Sequence, residues 1–346
     1  MKITASFPGA SLGQWYGGEN ILYIETKIEK ESNLRSPRFT FLVENYYGES
    51  LILVVKKVQE IIYPKFPSKT GLFLSLDGEK WSPVVVLSRK ENNASEYEFK
   101  FKPGADRFFI SSYPLFRKKD MDIVIKTIRE KHQDTIKVDY QESGVYLKIL
   151  PVKSSLKKIL LVCGQHPGES ITYFFALGFL RAVDRFLENG NNLDVEIHII
   201  PYIDFNSYLE GGHRFSQGYD LNRTWHDPRS YFQRIVIDLA CKDQDLVIFD
   251  IHGDEMSAKS YVQEYSNIKN TEPMFLLNFV HIKQRSGLLK MVKKILLGVK
   301  TKNYGLTLTG WGKKNKNFSV LVELSMSSLV PADAEVAGGL FLKEIL

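Results

Sequence analysis

Ile159-Leu160-Leu161-Val162-Cys163 runs through Gly164-Gln165-His166-Pro167-Gly168-Glu169-Ser170 directly into Ile171-Thr172-Tyr173-Phe174-Phe175-Ala176-Leu177. Five consecutive apolar residues are what a strand covered on both faces requires. The polar turn that follows opens a helical pattern from about Ser170 to Phe186, rich in Phe, Leu and Ala and closed by Asn189-Gly190. Buried strand, short turn and long helix make the first half of a βαβ unit.

The same alternation continues outward. Asp194–Pro201 reads as a strand, Pro228–Cys241 as a helix, and Asp245–Ile251 and Ser319–Leu324 as further apolar strands, with helices expected between about Pro273 and Val299. Upstream, Asp120–Lys131 has helical periodicity. Before it the texture is different. Ile21–Thr26, Phe39–Val43, Ser50–Val58, Trp81–Leu87, Tyr97–Phe101 and Arg107–Ser111 are short strand-like runs separated by turn signals such as Tyr47-Gly48 and Asp77-Gly78. Tyr97-Glu98-Phe99-Lys100-Phe101-Lys102 alternates apolar and polar, as a strand buried on one face does. The expected architecture is α/β: a small antiparallel β-sandwich domain over residues 1–115, then a mixed, mainly parallel sheet with helices on both faces over 116–346.

Composition bounds the function. The chain has 346 residues, 44% of them apolar and 25% charged, which are ordinary globular values and exclude wholesale disorder. A net charge of +6 comes from 46 Lys+Arg against 40 Asp+Glu, and the basic residues are scattered. Arg117-Lys118-Lys119 and Lys313-Lys314 lack interleaved aromatics, so nucleic-acid binding is not expected. No apolar run approaches the ~20 residues of a membrane span, and the start Met1-Lys2-Ile3-Thr4 has no long apolar signal region. Cys163 and Cys241 are too few for a disulfide scaffold, which points to a reducing, cytoplasmic setting. No oligomeric state follows from the sequence.

In an open α/β sheet, sites form beyond the carboxyl ends of the strands. The polar residues there are His166 and Glu169 after the first strand, Asp204-Phe205-Asn206-Ser207 and Arg214 after the second, Asp250-Ile251-His252-Gly253 at the third and Glu323 at the fourth. His166 and Glu169 are three apart on a turn, so imidazole and carboxylate can meet one ion. With His252 they make a His, Glu, His set that leaves a position open for water, the pattern of a catalytic zinc site. Two imidazoles favour zinc over an ion of purely oxygen preference. Glu323 sits on an otherwise apolar strand, where a carboxylate without a partner is costly.

The order His166-Pro167-Gly168-Glu169-Ser170, Arg214, Asp220-Leu221-Asn222-Arg223, Asp250-Ile251-His252-Gly253 and Glu323 resembles the zinc metallocarboxypeptidases. The branch it is most similar to is that of the cytosolic carboxypeptidases, deglutamylase-like proteins and their bacterial relatives, which place a small β-sandwich before the catalytic domain. Phe109-Ile110-Ser111-Ser112-Tyr113-Pro114 resembles their interdomain join. The resemblance implies one zinc held by His166, Glu169 and His252, and Glu323 as the general base that acts on water and then protonates the leaving amine. It implies that Arg214 polarises the scissile carbonyl, that Asn222 and Arg223 hold the free α-carboxylate of a peptide or protein tail, and that Asp220 accepts a hydrogen bond from a ligand histidine. The reaction implied is removal of the C-terminal amino acid.

Alternatives remain at this point. N-acyl amino acid deacylases of the desuccinylase and aspartoacylase type share the His-x-x-Glu…His set but need no leading β-sandwich. A non-catalytic module that binds C-terminal tails is a third reading, against which the intact Glu323 and ligand set argue. Arg223 can also be read as an ordinary surface ion pair, worth about 0–1 kcal/mol. The family's Asn-Pro-Asp-Gly turn is replaced here by Asp204-Phe205-Asn206-Ser207, which puts the geometry of that turn in question. Gly211-Gly212-His213 reads as a mobile loop, and His213 and His226 as surface or pocket-rim residues. Lys259, Lys283, Arg285 and Lys290 are candidate acid-binding groups of the pocket wall. The Lys313–Lys316 loop enters a strand of about 20 Å whose far end carries Glu323, so it is expected at the opposite edge of the sheet.

Overall fold

The computed structural model describes residues 1–29, 31–61, 72–92, 96–141, 143–151, 157–243, 246–254, 260–263, 275–277, 308, 318–326 and 331–346. Among them the amino-terminal strands are β1 (Lys2–Thr4), β2 (Trp15–Gly17), β3 (Ile21–Ile24), β4 (Ile28–Glu29), β5 (Leu34–Arg35), β6 (Thr40–Glu44), β7 (Leu51–Lys56), β8 (Phe73–Ser75), β9 (Ser82–Pro83), β10 (Ser88–Asn92), β11 (Glu96–Phe101) and β12 (Phe108–Ser111). They form two five-stranded sheets, β1-β6-β12-β8-β9 and β10-β11-β7-β3-β2, with β4 and β5 as a separate ribbon. Pairing is antiparallel except between β3 and β7, which run parallel. The chain leaves β3, contributes β6 to the other sheet and only then returns as β7, and such a crossover makes neighbours parallel. The expected strand Trp81–Leu87 shrinks to β9, which ends at Pro83, a residue with no N–H for a ladder.

The described residues that follow build one eight-stranded sheet and the helices that cover it. Its strands are β13 (Ile136–Gln141), β14 (Gly144–Ile149), β15 (Lys158–Cys163), β16 (Glu196–Tyr202), β17 (Val247–Asp254), β18 (Ser260–Gln263), β19 (Phe275–Leu277) and β20 (Phe318–Ser325). The order is β13-β14-β16-β15-β17-β20-β18-β19. The central four, β16, β15, β17 and β20, are parallel, and antiparallel strands flank them on both sides. Helices are α1 (Lys118–Lys131), α2 (Ile171–Glu188), α3 (Phe205–Leu209), α4 (Tyr231–Lys242) and α5 (Pro331–Ile345). Where helices are expected between about Pro273 and Val299, Phe275–Leu277 instead pairs with β18 as β19. The remainder of that stretch, with Lys283, Arg285 and Lys290, lies outside the described residues, as do Lys259 and the Lys313–Lys316 loop.

Apolar side chains cover both faces at the centre of the sheet, which is why Ile159–Cys163 of β15 reads as an unbroken apolar run. Ile159, Leu161 and Cys163 face α2 and the amino-terminal sheets, whereas Leu160 and Val162 face Phe232, Val236 and Ala240 of α4. The first of these cores is continuous from Phe41 and Leu53 in the β unit to Phe175 in α2 and Phe341 in α5. Arg38 lies inside the seam, 1% exposed, with its guanidinium 4.1 Å from the Tyr208 ring centroid. It donates to the carbonyls of Gly9, Tyr208 and Gly212, so the charge is spread over three acceptors rather than left uncompensated.

Candidate metal centre

The four parallel strands end at one edge, and each delivers polar side chains there. After β15, Gly164 takes φ +67°, a conformation that suits glycine, and reverses the chain into the His166–Glu169 turn. Tyr173 closes that turn by donating to the Pro167 carbonyl at 2.8 Å, and Ser170 ties it to the Pro114 carbonyl at 2.7 Å. Gly168 packs so closely on the next segment that a Cβ there would lie 2.2 Å from His213 Nδ1 and 2.6 Å from its Cα.

Along β17, Phe249 and Ile251 enter the core beneath α2, so Asp250 and His252 leave the opposite face. On β20, Val320, Val322 and Leu324 do the same, which puts Glu323 on the face of His252. The two are register partners on neighbouring parallel strands, and Glu323 is half-buried.

His166, Glu169 and His252 are all buried, and one ligand atom from each lies within 4.8 Å of the others. The orientation is specific. His166 Nδ1 is 2.6 Å from Glu169 Oε1, and His252 Nδ1 is 3.1 Å from Oε2, so both Nδ1 atoms turn to one carboxylate. The outer nitrogens turn away to other acids: His166 Nε2 is 3.2 Å from Asp220 Oδ1, and His252 Nε2 is 3.0 Å from Asp250 Oδ1. A carboxylate behind the far nitrogen fixes the tautomer of a metal-ligating imidazole and raises its basicity. The donor set thus suits a cation between the two Nδ1 atoms and Glu169.

The electrostatics favour positive charge at the same place. Burial works against protonation of both histidines, yet Asp250 and Glu169 raise His252 well above its usual range, and Glu169 and Asp220 raise His166. Burial alone would raise Glu169, but the two imidazoles hold its carboxyl well below the usual range. Asp220, also opposed by burial, is brought to about 2 by His166, with Arg214 and Arg223 adding to the effect.

The remaining site residues gather around this cluster. Arg214 binds Asp220 Oδ2 through Nε at 2.8 Å and Nη2 at 2.7 Å. Asp220 starts a short helical turn, Leu221–Arg223, by accepting from Asn222 N. Asn222 is buried. Its Nδ2 lies 3.1 Å from His252 Nε2, and its Oδ1 accepts from Leu308 N at 3.1 Å. Arg223 is exposed and donates Nη1 to the Asn222 carbonyl.

Two readings of the loops change. The Asp204-Phe205-Asn206-Ser207 stretch is the start of α3, with Asp204 Oδ1 accepting from Ser207 N at 3.2 Å and Oδ2 from its hydroxyl at 2.6 Å. His213, read as a rim residue on a mobile loop, is 1% exposed and stacked with Tyr113 at 6.2 Å, and its carbonyl accepts from Gly168 N. Its neighbours in space are distant in sequence, so polarity alone misplaces it. His226 is exposed. Two further residues belong to the site. Gln165, fully buried, accepts from Trp225 Nε1 at 2.8 Å and donates to Asp250 Oδ1 at 2.5 Å. Asp250 was detectable, since a residue two before a strand histidine shares its face. Nothing local marks the partnership of Gln165 with Trp225.

No family model matches the sequence, and no curated protein sequence matches it. Solved structures do match in shape. A candidate carboxypeptidase A from Shewanella denitrificans OS-217 superposes with a TM-score of 0.81 at 15% identity, covering 100% of this chain and 98% of that one. A metallo-carboxypeptidase from Burkholderia cenocepacia gives 0.77 at 16% identity over 99% and 97% of the two chains. A metallo-carboxypeptidase from Pseudomonas aeruginosa, solved with (2-guanidinoethylmercapto)succinic acid, gives 0.75 at 15% identity over the full length of both. From the amino-terminal β unit to the last helix, this chain has the fold of those metallo-carboxypeptidases.

Proposed function

We propose that the chain is a zinc metallocarboxypeptidase that removes the C-terminal amino acid from peptides or protein tails. The observation that carries this reading is the buried His166–Glu169–His252 cluster, both Nδ1 atoms turned to one carboxylate, with Glu323 in register beside His252. Zinc suits this mixed imidazole and carboxylate set. When bound, it supplies Lewis-acid polarisation of water and of the scissile carbonyl. Glu323 then takes a proton from the attacking water and returns it to the leaving amine. Arg214, held beside the cluster by Asp220, donates to the oxygen on which negative charge develops. Arg223, exposed and close to Asp220, offers a bidentate fork to the substrate's terminal carboxylate. The Pseudomonas neighbour holds a succinic acid derivative, a ligand with carboxylates of the kind Arg223 would take. Asn222, whose Oδ1 accepts from Leu308 N while its Nδ2 lies beside His252, serves that carboxylate through its amide N–H.

We further propose that residues 1–115 and 116–346 are two domains of one catalytic unit in a reducing, cytosolic setting. Cys163 and Cys241 are both free, which fits that setting. The test of function is a set of peptides that differ only in the last residue, each supplied as free acid and as C-terminal amide, with N-acyl amino acids alongside. Release of the last residue from the acids and not from the amides is expected. Equal hydrolysis of the amides would remove Arg223 and Asn222 from substrate recognition, and hydrolysis of N-acyl amino acids alone would make the chain a deacylase.

A further inference from the structure

We propose that Glu29, in the amino-terminal β unit, is a positioning residue of the catalytic site that acts by holding the backbone from which Arg214 projects. The proposal rests on the metallocarboxypeptidase reading for its effect on turnover, and on geometry alone for the hold itself.

Glu29 is 7% exposed, and its carboxylate is aimed across the seam. Oε1 accepts from His213 N at 2.6 Å and from Arg214 N at 3.0 Å, and Oε2 lies 3.4 Å from the Arg214 N–H. Two consecutive amides on one carboxylate oxygen fix the direction of the chain at that point. The same segment is held all along by the β unit. Gly9 N donates to the Leu209 carbonyl, Lys27 Nζ to that of Glu210, Ser11 to that of Gly211, and Arg38 to those of Tyr208 and Gly212. On its far side the His213 carbonyl takes the Gly168 N–H of the metal turn at 2.8 Å. Arg214 in turn grips Asp220, which lies against His166. The path from Glu29 to a metal ligand therefore has few links, and each is a hydrogen bond or one residue of chain.

A carboxylate is a costly residue to bury for packing alone, since an apolar side chain would fill the space without losing solvation. Among the neighbours of the segment it is Glu29 that binds the amide of Arg214 itself. Freed from it, Arg214 can shift relative to the cluster, and a displacement of about 1 Å at such a group costs on the order of 100-fold in rate. The amino-terminal unit is then part of the catalytic apparatus.

The test uses the full chain loaded with zinc, in three variants: Glu29→Ala, Glu29→Gln and Arg214→Ala. Amide hydrogen exchange at His213 and Arg214 reads the hold without reference to activity. It is expected to accelerate in Glu29→Ala and to stay protected in Glu29→Gln, whose amide oxygen still accepts. Glu29→Ala is expected to lower kcat roughly 10–100-fold with little change in KM or zinc content, and Glu29→Gln to stay near the unmutated protein. In the Arg214→Ala background the same change should cost little more, because both act through one group. Unchanged exchange in Glu29→Ala would overturn the hold. Accelerated exchange with unchanged kcat, or an equal loss in both backgrounds, would overturn the positioning role. Absence of turnover in the unmutated protein would refute the carboxypeptidase reading instead, leaving the exchange result to stand on its own.

Discussion

Each histidine of the cluster is held between two acids, and the consequences differ for the near and the far one. Glu169 faces both Nδ1 atoms and competes directly for a cation's place, whereas Asp250 reaches His252 only from behind. Asp250→Asn should therefore leave the ligand set intact and weaken zinc binding by about 10–100-fold, measured by competition with a chromogenic chelator. An unchanged affinity would mean that Asp250 does not orient the imidazole. Glu323 stands in register with His252 but is not one of the three clustered residues. Glu323→Gln should abolish turnover while the purified protein keeps about one zinc per chain by elemental analysis. Retained turnover would remove Glu323 as the base. At this scale the sequence brought His166, Glu169 and His252 into view because they lie at or just beyond the ends of buried strands, and the folded chain does cluster these three, with Glu323 in register beside His252. It gave no partner for Gln165 or Glu29 and misplaced His213 at the rim, because Trp225, Arg214 and Gly168 are brought to them only by the folded chain.

Helices α2 and α5 cross at glycines on both sides. A Cβ at Gly178 would lie 1.9 Å from the Glu335 carbonyl oxygen, and one at Gly338 would lie 2.0 Å from that of Phe175. Backbone oxygens cannot rotate away, so either glycine→alanine change forces the helices apart. Gly338→Ala should destabilise the protein by about 1–3 kcal/mol in urea or guanidinium unfolding, with zinc affinity unaltered because Gly338 meets α2 at Phe175 and Phe179 and not at the His166–Glu169 turn; a stabilised variant would contradict the packing. These glycines also explain a missed element. Gly338-Gly339 reads as a helix breaker in sequence, although Pro331 at the first helical position is a helix start signal. The β13–β14 hairpin was missed for another reason. Ile136–Gln141 is an edge strand with one fully buried residue, so its pattern is weak. β15 and the first half of α2 were readable because burial all round leaves Ile159–Cys163 and Tyr173–Leu180 apolar.

The molecule as a whole has two sheet systems joined by one core and by a buried seam of charged side chains, Arg38 and Glu29 among them. Such a seam cannot open without exposing apolar surface and orphaning several hydrogen bonds at once. Thermal unfolding should accordingly appear as a single transition by far- and near-ultraviolet circular dichroism, shifted upward by added zinc; two separated transitions would show the seam to be weak. No helix among the described residues is long and apolar enough to cross a membrane. The net charge of +6 remains a property without an assigned partner. What joins fold, seam and cluster is one claim, that this chain uses a single metal to release a C-terminal residue. The direct measurement is titration of zinc into chelator-stripped protein while release of the last residue from a free-acid peptide is followed. Turnover should be absent at the start, rise linearly and level off at about one zinc per chain. Full turnover without metal, or none at any zinc level on any free-acid peptide, would contradict it.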